Sequence, residues 1–398
     1  MYTFAMKNRH IIYVGLLLAL VGCSSKSQIS ANGGNYLANP GSIPFSNEHL
    51  SKMLRRAYLT ISYTFPPASD RNAIENAATI TEARSAYNEA IDTLIDGGPA
   101  RDRIRDYFYN RLGVGTNNSS EELRMPANLG TYIFLNDLPI SEFLLAQYAI
   151  DDDGNEIPQD ANGLPEADQA GYFTTSGFVA TYMNGFKFSM IREILGVNLN
   201  AKTPYNGFGF YEWPENVINI KYTQSGGINC HDCHRSMDNL RAAFHKYNQN
   251  NDYDAGNNQD QNQYNQEPNG SAGSTLEPLD PNTNTPLDAA AAAAYYKLTP
   301  NGGLINSPRT LAQEVVNHPK FAEAWTQNLL TIMLDLPEGV PGVNLTVPNH
   351  FNGSPAQIAF LQKWSTAFDE MGQKPKTFMR TFLKDADYLI IGYTGEDE

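Results

Sequence analysis

SPRTLAQEVVNHPKFAEAWTQNLLTIML, residues 307–334, decides the fold class. Ser307 before Pro308 is a helix-start pair. The hydroxyl can accept an orphan backbone N–H, and proline loses no hydrogen bond at the first helical position. Leu311, Val315 and Val316 follow at helical spacing, and Phe321, Trp325, Leu329, Leu330, Met333 and Leu334 continue an apolar stripe. Two further helices are predicted over 355–371 and 376–383.

The same pattern runs through the first third of the chain. From Ser46 onward, Leu50, Met53, Leu54, Ala57 and Tyr58 recur at three and four. The stretch 70–94 continues in that style through Ile74, Ala77, Ala78, Ile80, Ala86, Ala90, Ile91 and Leu94, and Gly97-Gly98-Pro99 stops it. Helices are also predicted over 100–112 and 139–149. Residues 171–190, rich in aromatic and β-branched side chains, are predicted extended, with a helical turn over 189–195 ending at Gly196. The Gly-, Pro- and aromatic-rich stretch 200–220 reads as a packed loop. Asp151-Asp152-Asp153-Gly154-Asn155-Glu156 has calcium-like composition, but its glycine is misplaced for an EF-hand and no terminal glutamate fits. A solvated loop is the expectation there.

Composition changes over 248–288, where Asn, Gln, Asp, Gly and Pro leave almost nothing to bury. This reads as a polar insertion, followed by a short alanine-rich helix over 289–294. No internal repeat is evident. The organisation predicted is a signal segment at 1–22, a tether at 23–44, and a helical region at 45–150. A region built around the 230–234 motif follows at 151–247, then the insertion at 248–288 and a second helical region at 289–398.

That motif lies between the two helical regions. Cys230, Cys233 and His234 spell C-x-x-C-H, the attachment signature of a c-type haem. On a helix, positions i, i+3 and i+4 share one face. Both thiols can therefore form thioethers with the haem vinyl groups while the imidazole meets the iron. Asn229 is a candidate N-cap, and Gly226-Gly227 relaxes the backbone entering the turn. Zinc would need a fourth good ligand, and a thioredoxin-like pair would need neither His234 nor this helical surrounding. One covalent haem c is the cofactor expected. Met183, in a polar setting beside Asn184 and Gly185, is the first choice of distal ligand, with an open iron position as the alternative. Met190, Met333 and Met379 are better read as core, and Met237 and His245 stand too close to His234 to cross to the other haem face.

The only other cysteine, Cys23, closes a short apolar segment. Lys7, Asn8, Arg9 and His10 precede ten residues, 11–20, too few for a spanning helix, which needs about 20. Leu20-Val21-Gly22-Cys23 resembles a lipobox, which would make Cys23 the lipidated residue. No aspartate follows it directly, which by resemblance to bacterial lipoproteins implies the outer membrane, on its periplasmic or cell-surface face. The formal net charge is -15; without residues 1–22, which carry Lys7 and Arg9 and no acids, 26 basic residues against 43 acidic give -17. This disfavours nucleic acid as a partner and suits solubility or docking to a basic surface. Mean hydropathy of -0.42 argues against a multi-spanning membrane protein.

From about residue 45 to 390 the chain resembles the bacterial planctomycete-type cytochrome c domain proteins. The likeness rests on Gly171-Tyr172-Phe173-Thr174 with Gly177-Phe178, on Ile191-Arg192 and Ile194-Leu195-Gly196, and on Cys230 to His234 followed by Met237-Asp238. Downstream it rests on Ser307-Pro308, Leu311-Ala312 and Pro319-Lys320-Phe321-Ala322. Where that group continues with proline and a glycine-phenylalanine pair, this chain has Asn239-Leu240-Arg241. The resemblance implies a mainly α, multi-helix cytochrome c-like domain with helical flanking regions and long irregular loops, and names no reaction. Single-electron transfer to a redox protein partner is the leading expectation. A peroxidase or oxygenase-like haem enzyme and a haem-stabilised interaction module are the alternatives.

If Cys23 carries the lipid, Cys23→Ala moves the protein from the membrane to the soluble fraction. Unchanged partitioning on fractionation removes the anchor.

Overall fold

A computed structural model of the protein describes residues 45–114, 119–159, 164–182, 188–200, 240–244, 247, 279–280, 285–286, 298, 302–336 and 355–391. The fold is mainly α, as the apolar spacing predicts. α1 (Asn47–Ser62) starts where the Ser46 hydroxyl accepts the His49 N–H at 3.0 Å. α2 (Ala68–Glu75) and α3 (Ile80–Asp96) divide the predicted 70–94 run in two. The break falls at the Thr79–Glu82 capping box, whose reciprocal hydrogen bonds make a helix start more stable there than a continuous helix. α4 (Gly98–Leu112) follows almost at once, with Pro99 in its first turn.

α5 (Glu121–Leu135) is a helix the apolar pattern did not reveal, because Pro126 sits inside it. That proline has no N–H to give the Glu122 carbonyl. Gly177 packs against that same oxygen; a Cβ there would come within 2.0 Å. The helix predicted over 139–149 shrinks to one turn, α6 (Glu142–Leu145), and then becomes strand β1 (Tyr148–Ile150), paired antiparallel with β2 (Glu156–Pro158). The Gln159 side chain holds this corner. It donates to the Tyr148 and Gly171 carbonyls at 3.1 and 2.9 Å and accepts from Thr174 Oγ1 at 2.6 Å.

Of the 171–190 stretch, residues 171–182 are not extended. They form a 3₁₀ turn (Gly171–Thr174) and α7 (Ser176–Tyr182), because their aromatic residues pack inward on a helix instead of lining a sheet. Phe143 stacks on Tyr172 at 4.3 Å, and Phe178 meets Tyr172 edge-on at 4.9 Å. α8 (Phe188–Leu199) runs through Gly196 instead of ending at it. A further 3₁₀ turn, Leu240–Phe244, and a two-residue ladder, β3 (Leu279–Asp280) with β4 (Thr285–Pro286), come next among the described residues. The predicted 289–294 helix lies outside them.

α9 (Pro308–Val316) opens on a capping box between Ser307 and Thr310. α10 (Phe321–Leu334) is buried on all sides from Ala324 to Leu334 and touches α1, α8, α11 and α12. A helix apolar around most of its circumference belongs inside a protein, and this one is the axis of the core. α11 (Pro355–Glu370), α12 (Pro375–Lys384) and α13 (Ala386–Ile391) close the other side. Trp364, Phe368, Phe378, Phe382 and Tyr388 interlock there at ring separations of 4.8–5.8 Å. Arg380 and Lys384 pair with Asp92, and Lys376 with Asp96, tying α12 to α3. One buried apolar cluster runs from Leu50 to Leu389, so both helical regions share a core.

Gly171 has φ +47°, and an added Cβ would lie 2.1 Å from the Phe143 carbonyl oxygen. Gly171→Ala should therefore cost more than about 1 kcal/mol by urea denaturation. Gly98→Ala, with open space around it in a helix, should be neutral or slightly stabilising.

Candidate functional site

α8 ends at a clamp. Its last carbonyls have no partners within the helix, and they carry the negative end of the helix dipole. Arg111 Nη2, at the end of α4, donates to the Gly196 carbonyl at 2.6 Å, and Asn328 Nδ2, on α10, donates to the Val197 carbonyl at 2.9 Å. Asn200 then reaches α10, donating to the Ala324 carbonyl at 3.2 Å and to Gln327 Oε1 at 3.3 Å. Asn198 donates to the Ile194 carbonyl at 2.8 Å and to the Tyr172 hydroxyl at 2.9 Å. Arg111, Asn198 and Asn328 are each no more than 1% exposed.

The clamp sits among aromatic rings. Trp325 lies 5.7 Å from Phe143 and 6.3 Å from Phe108, and Phe143 stacks on Tyr172. Burial pushes the Tyr172 hydroxyl well above its ordinary value; Glu193, fully buried on α8, adds to that, while Asn198 and Arg111 oppose it. Tyr172 is therefore a neutral hydrogen-bonding group at any physiological pH. The Tyr182 hydroxyl donates to the Leu112 carbonyl, fixing α7 to the end of α4.

Two anchors on this wall bracket the 201–239 segment. Asn200 holds the chain before it, and the turn Leu240–Phe244 holds the chain after it, packed on α8 and α9. Phe244 meets Phe173 edge-on at 6.1 Å, and Tyr247 covers Phe244 at 6.1 Å. Cys230, Cys233 and His234 belong to this segment and lie outside the described residues, as do Met183, Met237, His245 and Cys23. Met190, Met333 and Met379 are fully buried in the apolar core. Among the described residues no cluster of three or more His, Cys, Asp or Glu side chains is arranged to hold a metal ion.

Whether this wall suits a haem is a matter of its chemistry. A porphyrin needs aromatic and aliphatic cover, and its carboxylates need donors. The wall offers Phe173, Tyr172, Phe178 and Phe244 together with the buried guanidinium of Arg111, two of whose nitrogens have no hydrogen-bonding partner among the described residues. The aromatic residues described would give such a group its cover, while the buried Glu193 offsets the Arg111 charge for its carboxylates.

The acidic stretch 151–156 is the tip of the β1–β2 hairpin. Asp152 pairs with Arg124 and accepts from Asn128 Nδ2 at 3.1 Å, while Asp151 accepts the Asn155 N–H at 2.7 Å. These partners hold both carboxyls below the usual carboxylate range. The loop is closed by its own hydrogen bonds.

Reading by motif missed Arg111, Asn198 and Asn328. For Arg111 a signal existed: it falls on the inward stripe of α4 with Ile104, Tyr107 and Phe108. The motif glycines have a structural role, since Gly171 and Gly177 permit backbone contact with α6 and α5. No family model, curated protein or solved structure matches this chain.

His318, buried between α9 and α10, accepts the Lys320 N–H on Nδ1 at 3.1 Å; burial, and then Lys320, lower its pKa below the ordinary 6.5. The folded state thus resists protonation, so the unfolded chain binds the proton first as pH falls below about 6.5. Stability contributed here is present above that pH and lost below it. His318→Asn, whose Oδ1 can accept the same N–H, should give a shallower loss of urea stability between about pH 7 and pH 5.

Proposed function

We propose that the protein is a lipid-anchored, monohaem c-type cytochrome that passes single electrons at the bacterial cell envelope. One observation carries this reading: a single chain combines C-x-x-C-H at 230–234 with a lipobox-like end at Cys23, and no other cysteine. Covalent haem attachment and lipidation both belong outside the cytoplasm, so the two signals agree on compartment. The likeness to planctomycete-type cytochrome c domain proteins is part of the same proposal, and so is an outer-membrane location.

The haem, when bound, supplies exchange of one electron between ferric and ferrous iron. Cys230 and Cys233 would hold it through thioethers, and His234 and Met183 would be the residues offered to its iron. Chain connectivity supports the wall described above as its neighbour. His234 precedes the anchored Leu240 by six positions, a reach of at most about 20 Å. Phe173 and Phe244 keep water from that side, and burial of this kind raises the energy of the more highly charged ferric state. The acidic chain suits a redox partner with a basic docking face.

The deciding experiment uses full-length protein matured in a host that attaches c-type haem. The expected result is a haem-stained band, a mass increase of one haem, and a low-spin reduced spectrum that carbon monoxide leaves unshifted. Replacing both Cys230 and Cys233 by alanine should abolish the stain, and Met183→Ala should convert the iron to a form that binds carbon monoxide. A colourless protein with the mass of lipidated polypeptide alone ends the proposal. A wild-type iron that binds carbon monoxide readily points instead to catalysis at an open site.

A further inference from the structure

The loop between α1 and α2 turns two aromatic rings outward. Tyr63 is 64% exposed and Phe65 65%, the two highest values for a large apolar side chain among the described residues. Tyr63 caps α1 with φ +53°, the left-handed conformation that glycine adopts without penalty. Burial does not offset that strain, since the ring stays largely in water with the Arg103 guanidinium 5.1 Å from its centre. Glycine would serve the turn better, so fold stability does not account for a tyrosine here. Pro66, which is buried, restricts the Phe65 backbone to extended conformations. Basic side chains share this face. Leu59, 38% exposed, stands one turn before Tyr63 on α1, and Arg55 one turn before Leu59. The Arg55 guanidinium lies 5.1 Å from the Phe65 ring, so the stripe closes on the loop. Arg56 follows Arg55, and Arg71 lies in the first turn of α2. From residue 49 to 74 four Lys and Arg residues stand against one acid, Asp70, whose Oδ2 accepts from Tyr58. Adding Glu48, which pairs with Lys52, and Glu75, which accepts from Ser51, leaves the stretch still positive. The whole chain has 28 Lys and Arg residues against 43 acids.

We propose that Arg55, Leu59, Tyr63 and Phe65 form a docking face for a membrane surface that bears anionic phospholipid headgroups. Aromatic rings beside guanidinium groups suit that interface, where the ring enters the acyl boundary and the cation stays among phosphates. Charge selects this face. An anionic surface repels most of so acidic a molecule, while each arginine close to it adds attraction. The inference deepens the lipid-anchored reading and rests on it for proximity. The 22 residues from 23 to 44 span at most about 80 Å, and the 16 residues of α1 about 24 Å. A lipid at Cys23 therefore leaves this face within reach of the bilayer, and docking fixes which way the domain points.

The test uses the full-length mature protein on vesicles of phosphatidylcholine, alone or mixed with phosphatidylglycerol. Hydroxyl-radical footprinting reads the cover over Tyr63 and Phe65, with Ile358, 43% exposed on α11, as the control. Modification of both rings should fall at least about threefold on the mixed vesicles, with Ile358 unchanged. High salt should reverse the effect. Arg55→Gln should lower the docked-to-undocked ratio about fivefold, the loss of one cation near the surface. Tyr63→Gly should lower it too while leaving the thermal midpoint unchanged or raised, which a purely structural tyrosine would not do. Flotation separates this face from the anchor. A protein that leaves the vesicles in high salt but is protected in low salt has the face without the lipid, and supports the inference. A protein that floats at any salt with both rings unprotected keeps the lipid and overturns the inference. Protection that is equal on both vesicle types, or that survives both substitutions, overturns it as well. Rings covered in intact envelopes yet exposed on both vesicles point to a protein partner, and also overturn it.

Discussion

A helix enclosed by protein on every side has only protein to offer hydrogen bonds to its polar side chains. α10 is in that position, with Thr326, Gln327, Asn328 and Thr331 buried among leucines and a tryptophan. Thr331 turns back to the Gln327 carbonyl at 2.8 Å, but Asn328 and Gln327 reach outward to the end of α8. The hydrogen bonds that make α10 tolerable in the core are therefore the ones that fix α8. Arg111 fixes the same end from α4. Everything that follows α8 in the chain, including the C-x-x-C-H segment, starts from this clamp.

Backbone contact supplies the second constraint. α7 lies on α5 only because Gly177 has no Cβ, and the 3₁₀ turn at 171–174 lies on α6 only because Gly171 can adopt positive φ against the Phe143 carbonyl. Pro126 helps by leaving the Glu122 carbonyl without an N–H from its own helix. These glycines are among the residues on which the resemblance to cytochrome c domain proteins rests. Their work here is to bring helices together, so a likeness at such positions speaks for shape, and the chemistry has to be argued from Cys230, Cys233 and His234.

Much of the helical content was legible because burial writes itself as spacing. Ser307-Pro308, the stripe from Phe321 to Leu334 and the stop at Gly97-Gly98-Pro99 all led to real boundaries. Pattern reading failed where tertiary contacts outweigh local preference. Residues 171–182 have strand-like composition, yet they fold as short helices because Tyr172, Phe173 and Phe178 all find ring partners on the inside. α5 was hidden by its proline, and 139–149 gave only one turn because Gln159 draws the chain into a hairpin. At the candidate site, the motif residues were legible as chemistry. The clamp was not, because its members come from α4, α8 and α10, and no spacing in one segment encodes a bond across 85 or 131 positions.

By itself the sequence determined the helical class, the polar character of 248–288, and which side chains are the candidates for attachment chemistry. Each is a property of composition or of neighbours a few residues apart, and such properties survive in an unfolded chain. Only the tertiary structure decided that α10 is the axis and that α8 ends in a clamp from two other helices. Those depend on which surfaces meet when the core closes, and that choice is made by long-range packing.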